Sequence, residues 1–217
     1  HLDVMRYFQK AIRRADIDIC YSEGYSPHMI MSFASPLGLG LESDGEYMDI
    51  RINGSISSKE AVRRLNAVMV EGIDVMSFRE LPENSKNAMA SVAAADYEVR
   101  FREGCAPEDG WKKQFTEFLA QPEMRIVKET KKGQQEIDIR PWIYSWEIVD
   151  DMIKMQVSAG SVHNLKPEMV LKAFAEHIGW DMPQFALLVT RREMYADQGT
   201  EEERKLISLE ALGEEIG

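Results

Sequence analysis

Cysteine is scarce. Cys20 and Cys105 are the two thiols in 217 residues. Two thiols do not make a disulfide scaffold, and no cysteine triplet is there to hold an iron–sulfur cluster. A reducing cytoplasm is therefore expected, with both thiols serving as small apolar groups. Long apolar runs are also missing, so no membrane span is expected. Positive charge is in deficit: 26 Lys and Arg stand against 37 Asp and Glu, for a net charge of -11. Nucleic-acid binding rests on neutralising phosphates. The totals therefore disfavour a general nucleic-acid binder and leave only local basic patches for that role. Glycine-rich phosphate motifs are absent. Gly38-Leu-Gly40 is a fragment of one and reads as turn geometry. No Cys or His spacing matches a zinc site. The chain opens on His1-Leu-Asp3, with neither an initiator Met nor a leader pattern, and runs directly into a helix pattern. Residues upstream of His1 are expected.

What is present is a globular composition, 44% apolar and 29% charged, long enough for one large or two small domains. Leu2, Met5, Phe8, Ile12 and Ala15 recur at three to four residues, which predicts a helix over 3–15. Arg6, Lys10 and Arg13 with Arg14 share one stripe of it, which fits a solvated face or an anion-binding stripe. Strands are expected over 17–21, 46–53 and 73–79, with a helix after Ser57 ended by Gly72. Residues 81–94 read as a junction between a first half, 1–80, and a second, 95–196. The second half holds a strand at 97–101, a helix opened by Pro107, and hairpins around Lys131-Lys-Gly-Gln134 and Asp150-Asp151. A helix opened by Pro167 and ended by Gly179 follows, then a strand at 185–195. Residues 197–217 form an acidic tail. The element order predicts an α+β fold of two ferredoxin-like (βαββαβ) halves with antiparallel sheets. The first strand of the first half would precede His1.

The connection over 21–43 stands out. Connections in compact domains run to about four to six residues, and long ones are usually functional or disordered. This one is too apolar for a solvated linker: Tyr21, Tyr25, Met29, Ile30, Met31, Phe33, Leu37, Leu39 and Leu41 lie in it. An ordered loop folded over a core is expected, presenting His28, Ser32 and Glu42. His28 follows Pro27, which stiffens its approach. It could contact a ligand or orient the loop. Tyr21, Tyr25 and Phe33 could stack on a planar ligand or form the loop's apolar underside. His1, Asp3 and His28, with Glu42 or Glu46, could make a metal or acid–base site. Trp142, Tyr144 and Trp146 alternate and should share one strand face, either core or an exposed interaction surface. His177 falls on the apolar face of its helix and reads as a core residue.

Several motifs together resemble the radical SAM-linked domain family of uncharacterised bacterial proteins, the DUF2344 type. They are His1-Leu-Asp3, Arg6, Arg13-Arg-Ala15, Tyr21-Ser22, Gly24-Tyr-Ser-Pro-His28, Ser32-Phe-Ala34, Pro36-Leu-Gly38, Ser43 and Glu46-Tyr47. Asn164-Leu-Lys-Pro-Glu168 and Thr190-Arg191 resemble its C-terminal part. The family's usual Gly-Phe-Asn-Pro-His-Pro is here Gly24-Tyr-Ser-Pro-His-Met29, so a role needing the Asn amide or the second Pro does not transfer. The resemblance implies a partner rather than an activity: a radical SAM protein using S-adenosylmethionine and an iron–sulfur cluster, with neither bound by this chain. It also implies a setting near RNA or the ribosome. The expected function is thus an accessory or substrate-recognition domain for a separate radical SAM enzyme. The ligand-binding candidates are His1, Asp3, Arg6, Arg13, Tyr21, Ser22, Gly24, Tyr25, Pro27, His28, Ser32, Phe33, Glu42, Ser43 and Glu46. A stand-alone enzyme or small-ligand or metal binder using His1, Asp3 and His28, and a structural interaction module, are the alternatives.

Overall fold

The computed structural model of the protein describes residues 2–130, 133–200 and 203–217, with only the backbone described over 128–130. His1, Lys131, Lys132, Glu201 and Glu202 lie outside the described residues. In chain order the first elements are α1 (Leu2–Arg14), β1 (Met31–Phe33), β2 (Glu42–Ser43), β3 (Met48–Ile50), α2 (Ser58–Asn66) and β4 (Arg79–Glu80). Then come α3 (Ala88–Ser91), β5 (Val92–Phe101), α4 (Trp111–Leu119), β6 (Arg125–Thr130), β7 (Gly133–Asp138) and β8 (Ile143–Val149). The chain closes with β9 (Met152–Ser158), α5 (Pro167–Ile178), β10 (Leu187–Asp197), β11 (Leu206–Ser208) and β12 (Glu214–Glu215). Among the described residues the fold mixes five α-helices with several antiparallel sheets, and the chain divides into two compact units.

Unit 1 comprises 1–37, 46–92 and 196–217. Its helix α1 buries Ala11 and Ile12 and stops because Asp16 turns left-handed, at φ 54°. Ile17 N then donates to Ile12 O and Asp16 N to Arg13 O, the paired bonds that close a Schellman end. Ile12, Ala15, Ile17, Ile19, Met29 and Leu65 form its buried core. Strands β1 and β3 pair antiparallel across Ser32 and Asp49. Helix α2 is capped by Ser57, whose Oγ accepts from Glu60 N. The tail is built into this unit. Ser58 N donates to Ile216 O, Ile216 N donates to the buried Ser58 Oγ at 2.8 Å, and β12 pairs antiparallel with β4. The strand expected over 73–79 shrinks to Arg79–Glu80. Asn66 explains part of this, since its side chain takes both the N–H and the C=O of Val75 and leaves that residue no ladder bonds to offer.

Unit 2 comprises 38–45 and 93–195. Its sheet runs β10-β5-β9-β8, with β5–β9 and β8–β9 antiparallel. One face packs under α4 and α5: Phe101 meets Trp111 and Trp180 edge-on, and Phe115 meets Phe174 at 4.9 Å. Helix α5 begins at Pro167 and ends at Gly179 in the left-handed region. The hairpin β6–β7 stands as its own two-stranded sheet between α4 and β8. Residues 38–45 bring a parallel pair where only antiparallel pairing was expected. Glu42 and Ser43 lie against Thr190 and Arg191 of β10. Gly45 is required there, since a Cβ would sit 2.7 Å from Arg192 O. Two side-chain expectations fail. Trp142 ends a 3-10 turn before β8 begins and stacks on His163 at 4.5 Å, so it lies outside the strand that carries Trp146, whose register also shifts between Ile143 and Ser145. His177 is exposed, set against the Phe118 ring and Gln121, because it lies in the last turn of α5, beyond the buried stripe of Val170, Leu171, Phe174 and Ala175.

Candidate functional site

Three short strand segments of unit 1 meet at one point. Residues 17–20 run antiparallel to 51–53, with Ile19 opposite Ile52 and Asn53 N donating to Asp18 O. Residues 20–22 then change partner and run antiparallel to 28–30, with Tyr21 opposite Met29. At the switch the peptide of Arg51 serves both neighbours. Cys20 N donates to Arg51 O at 2.7 Å, Arg51 N donates to Ile30 O at 3.0 Å, and Ile30 N donates to Cys20 O at 2.9 Å. This closed ring of three backbone bonds fixes where each side chain points. Alternation does the rest: Ile17, Ile19 and Met29 go to the core, while Asp18, Cys20, Ser22, Arg51 and Asn53 occupy the outer face.

That outer face carries linked polar groups. The Cys20 thiol donates to Asn53 Oδ1 at 3.0 Å, and Asn53 Nδ2 donates to Asp18 Oδ1 at 3.2 Å. An open cavity of about 470 Å³ lies against it, lined by Ile19, Cys20, Tyr21, Ser22, Glu23, Ile30, Arg51 and Asn53. Among the described residues the Arg51 guanidinium has no carboxylate partner. Beside it Asp49, on the same side of β3, accepts from Ala88 N at 2.5 Å. Burial raises the Asp49 carboxyl above its ordinary value, and the Ala88 N–H only partly offsets that rise.

The turn over 22–28 is clamped at its base. Ser22 N donates to His28 O at 2.8 Å, His28 N donates to Ser22 Oγ at 3.1 Å, and Ser22 Oγ shares a proton with His28 Nδ1 at 2.8 Å. Here His28 orients the loop. Gly24 holds a φ of 110°, a value side chains rarely adopt, and Pro27 is exposed. The result is a tip that carries Tyr25 fully out, at 109% exposure, with Tyr21 at 47%. Neither tyrosine forms the apolar underside. Phe33 comes nearest to that role, half-buried with its ring 5.5 Å from Phe8.

The remaining candidates scatter. Asp3 and Arg6 pair with each other at 3.6 Å in the exposed first turns of α1, and Arg13 lies at its other end. Lys10, Arg13 and Arg14 have no carboxylate partner among the described residues. Ser32 sits in β1 opposite Asp49. Glu42 and Ser43 belong to unit 2, where Ser43 Oγ donates to Arg191 O, while Glu46 is exposed in unit 1. No group of three His, Cys, Asp or Glu side chains that could hold a metal occurs among the described residues. Sequence reasoning missed Asp18, Cys20, Arg51 and Asn53. Their signal was the strict alternation at 18, 20, 22 and at 49, 51, 53, which marks two polar faces without saying that they meet.

The model of the DUF2344 family, described as "Uncharacterized protein conserved in bacteria", matches residues 1–167, and the chain belongs to that family. No curated protein matches it.

Proposed function

We propose that this DUF2344 protein is a recognition module that presents the 22–28 turn and the stripe of α1 to RNA, in concert with a separate radical SAM enzyme. The observation that carries the reading is the Tyr25 ring. Unit 1 leaves it wholly in water on a turn whose base is closed by three hydrogen bonds. A large ring held out on a stiff turn gains nothing for its own fold. It suits stacking against a base, worth about 1–3 kcal/mol per base in single-stranded recognition. The unpaired Lys10, Arg13 and Arg14 supply local positive charge in a chain of net charge -11. The partner enzyme rests on the resemblance of residues 1–50 to radical SAM-linked domains and on the shortage of thiols for a cluster. In unit 2, the strand order β10-β5-β9-β8 with α4 and α5 as its crossovers supports a ferredoxin-like reading, the β6–β7 hairpin being an insertion.

The test is single-stranded RNA binding across a salt series. Each phosphate contact adds about 0.7 to the slope of log affinity against log salt. Reversing charge at Lys10 and Arg13 should therefore lower the slope by about 1.4, and Tyr25→Ala should weaken binding about tenfold at unchanged slope. Affinity that is absent, or indifferent to salt and to these changes, overturns RNA as the ligand. Capture of a radical SAM protein by the tagged chain in its own host tests the partner, and repeated failure removes it.

A further inference from the structure

The sheet of unit 1 is open along one edge. Residues 46–53 bond on a single side: Tyr47 O accepts from Ala34 N, Arg51 N donates to Ile30 O, Arg51 O accepts from Cys20 N and Asn53 N donates to Asp18 O. Backbone groups alternate in direction along an antiparallel strand. Those of Met48, Ile50 and Ile52 therefore point to the other side, where no partner takes them among the described residues. Residues 73–78 make no ladder either, although exposure alternates over 73–76 as in an extended segment. Val75 gives both backbone groups to Asn66, so Asp74 and Met76 direct theirs the opposite way, again without partners among the described residues. We infer that a β-strand of about five or six residues lies between these two segments, antiparallel to both, and that the stretch of polypeptide feeding α1 supplies it. This goes beyond the recognition reading and is independent of what the tyrosine turn binds.

Burial and chain direction both select such a strand. The core of the unit is half-sealed. Six of its residues are buried, while nine further hydrophobics packed against it are only partly so, among them Met48, Ile50, Ile52, Val75 and Phe78 from the two flanking segments. A strand of alternating residues would cover those side chains with its apolar face. Its N–H and C=O groups would meet backbone groups on either side that must otherwise be left to water. The order of elements gives the direction. Residues 46–53, α2 and 73–78 make a crossover whose two ends share one core yet exchange no ladder bond. The ends of a crossover run parallel, so a single strand between them is antiparallel to each. Helix α1 leads into residues 17–20, which run antiparallel to 51–53. A strand feeding α1 through a crossover of the same kind runs parallel to 17–20, hence antiparallel to 46–53, which is the direction the open edge requires. Leu2 and Val4, in the first turn of α1, are exposed, as fits the end of the helix that would adjoin this strand.

Amide hydrogen exchange, read by NMR on the protein carrying its native residues ahead of α1, tests this directly. There the N–H groups of Met48, Ile50 and Ile52 should exchange within about tenfold of those of Arg51 and Asn53, whose partners are already in place. In the 217-residue chain the same three should exchange about a hundredfold faster than Arg51 and Asn53. Ile50→Pro gives a second readout. The Ile50 N–H faces away from β1, and an edge strand takes proline on that side. In the 217-residue chain the substitution should leave protection at Arg51 and Asn53 nearly unchanged. In the longer protein it should speed exchange at Met48 and Ile52 about tenfold or more. Fast exchange at Met48, Ile50 and Ile52 in the longer protein overturns the inference, and so does slow exchange there already in the 217-residue chain. Protection that grows with protein concentration assigns the edge to a second copy, and protection that needs an added partner assigns it to that partner. Either result overturns supply from the stretch ahead of α1.

Discussion

Ser22→Ala isolates what the clamp contributes. Ser22 Oγ is the shared atom of two contacts, from His28 N at 3.1 Å and with His28 Nδ1 at 2.8 Å. The substitution removes both and leaves the backbone bond from Ser22 N to His28 O. An intramolecular hydrogen bond is worth about 0.5–1.5 kcal/mol net. His28 is exposed and water competes for it, so the pair together should come to about 1 kcal/mol, near the low end for two bonds. Little of that should reach global unfolding, because the core of the unit lies elsewhere, in Ile12, Ile17, Ile19, Met29 and Leu65. The loss should appear as local opening, where about 1 kcal/mol is roughly fivefold in population. Native-state hydrogen exchange at the amides of 23–28 reads this directly. About fivefold faster exchange there is expected, with the global denaturation midpoint almost unmoved. His28→Ala keeps the backbone donor on Ser22 Oγ and loses only the ring contact, so it should give about half the effect in free energy. Unchanged exchange at His28 N–H in Ser22→Ala would refute the clamp. A large fall in global stability would show instead that the turn belongs to the core.

Three other perturbations follow from the geometry. Gly45→Ala places a Cβ within 3.0 Å of three β10 backbone atoms. It should cost about 1–3 kcal/mol, seen in urea unfolding together with loss of protection at Asp44 N, which donates to Arg191 O. Asp49→Asn keeps an acceptor for Ala88 N and removes a carboxyl that burial pushes up. A raised carboxyl costs stability once ionised, so the penalty is absent below the unfolded value and complete above the folded one. Asp49→Asn should therefore match or exceed the native midpoint at pH 7, whereas Asp49→Ala strands the donor and should lose about 1–3 kcal/mol. Glu60 behaves in the opposite sense. Hydrogen bonds from Arg63 and then Arg64 hold it down at about 2. Its contribution is present above the ordinary carboxyl value and is lost as pH falls through about 2. Glu60→Gln should lower stability evenly at neutral and alkaline pH and flatten that part of an acid-unfolding curve.

These residues also show which kind of information the chain carries openly. The helix α1 could be read because one periodic pattern determines it, whereas the left-handed turn of Asp16 that closes its end was visible only in the structure. Helix α5 was legible for local reasons, Pro167 at its start and Gly179 after its end. The order of the long 21–43 connection was legible from its apolar content, but its division was not. Residues 38–45 pair with a strand nearly 150 positions later, a choice that nothing local can signal. The site fails to show for a sharper reason. Its spacing is not a side-chain motif but a consequence of one strand changing partners at Cys20, so that the Arg51 peptide closes a ring with Ile30. Alternation at 18, 20 and 22 and at 49, 51 and 53 marks two half-buried strands. Only the backbone bonds turn those two polar faces into one. The turn that the sequence did advertise, around Pro27 and His28, is then best understood as the clamp beside the site. The arginine whose own backbone joins the three strands sits at their junction.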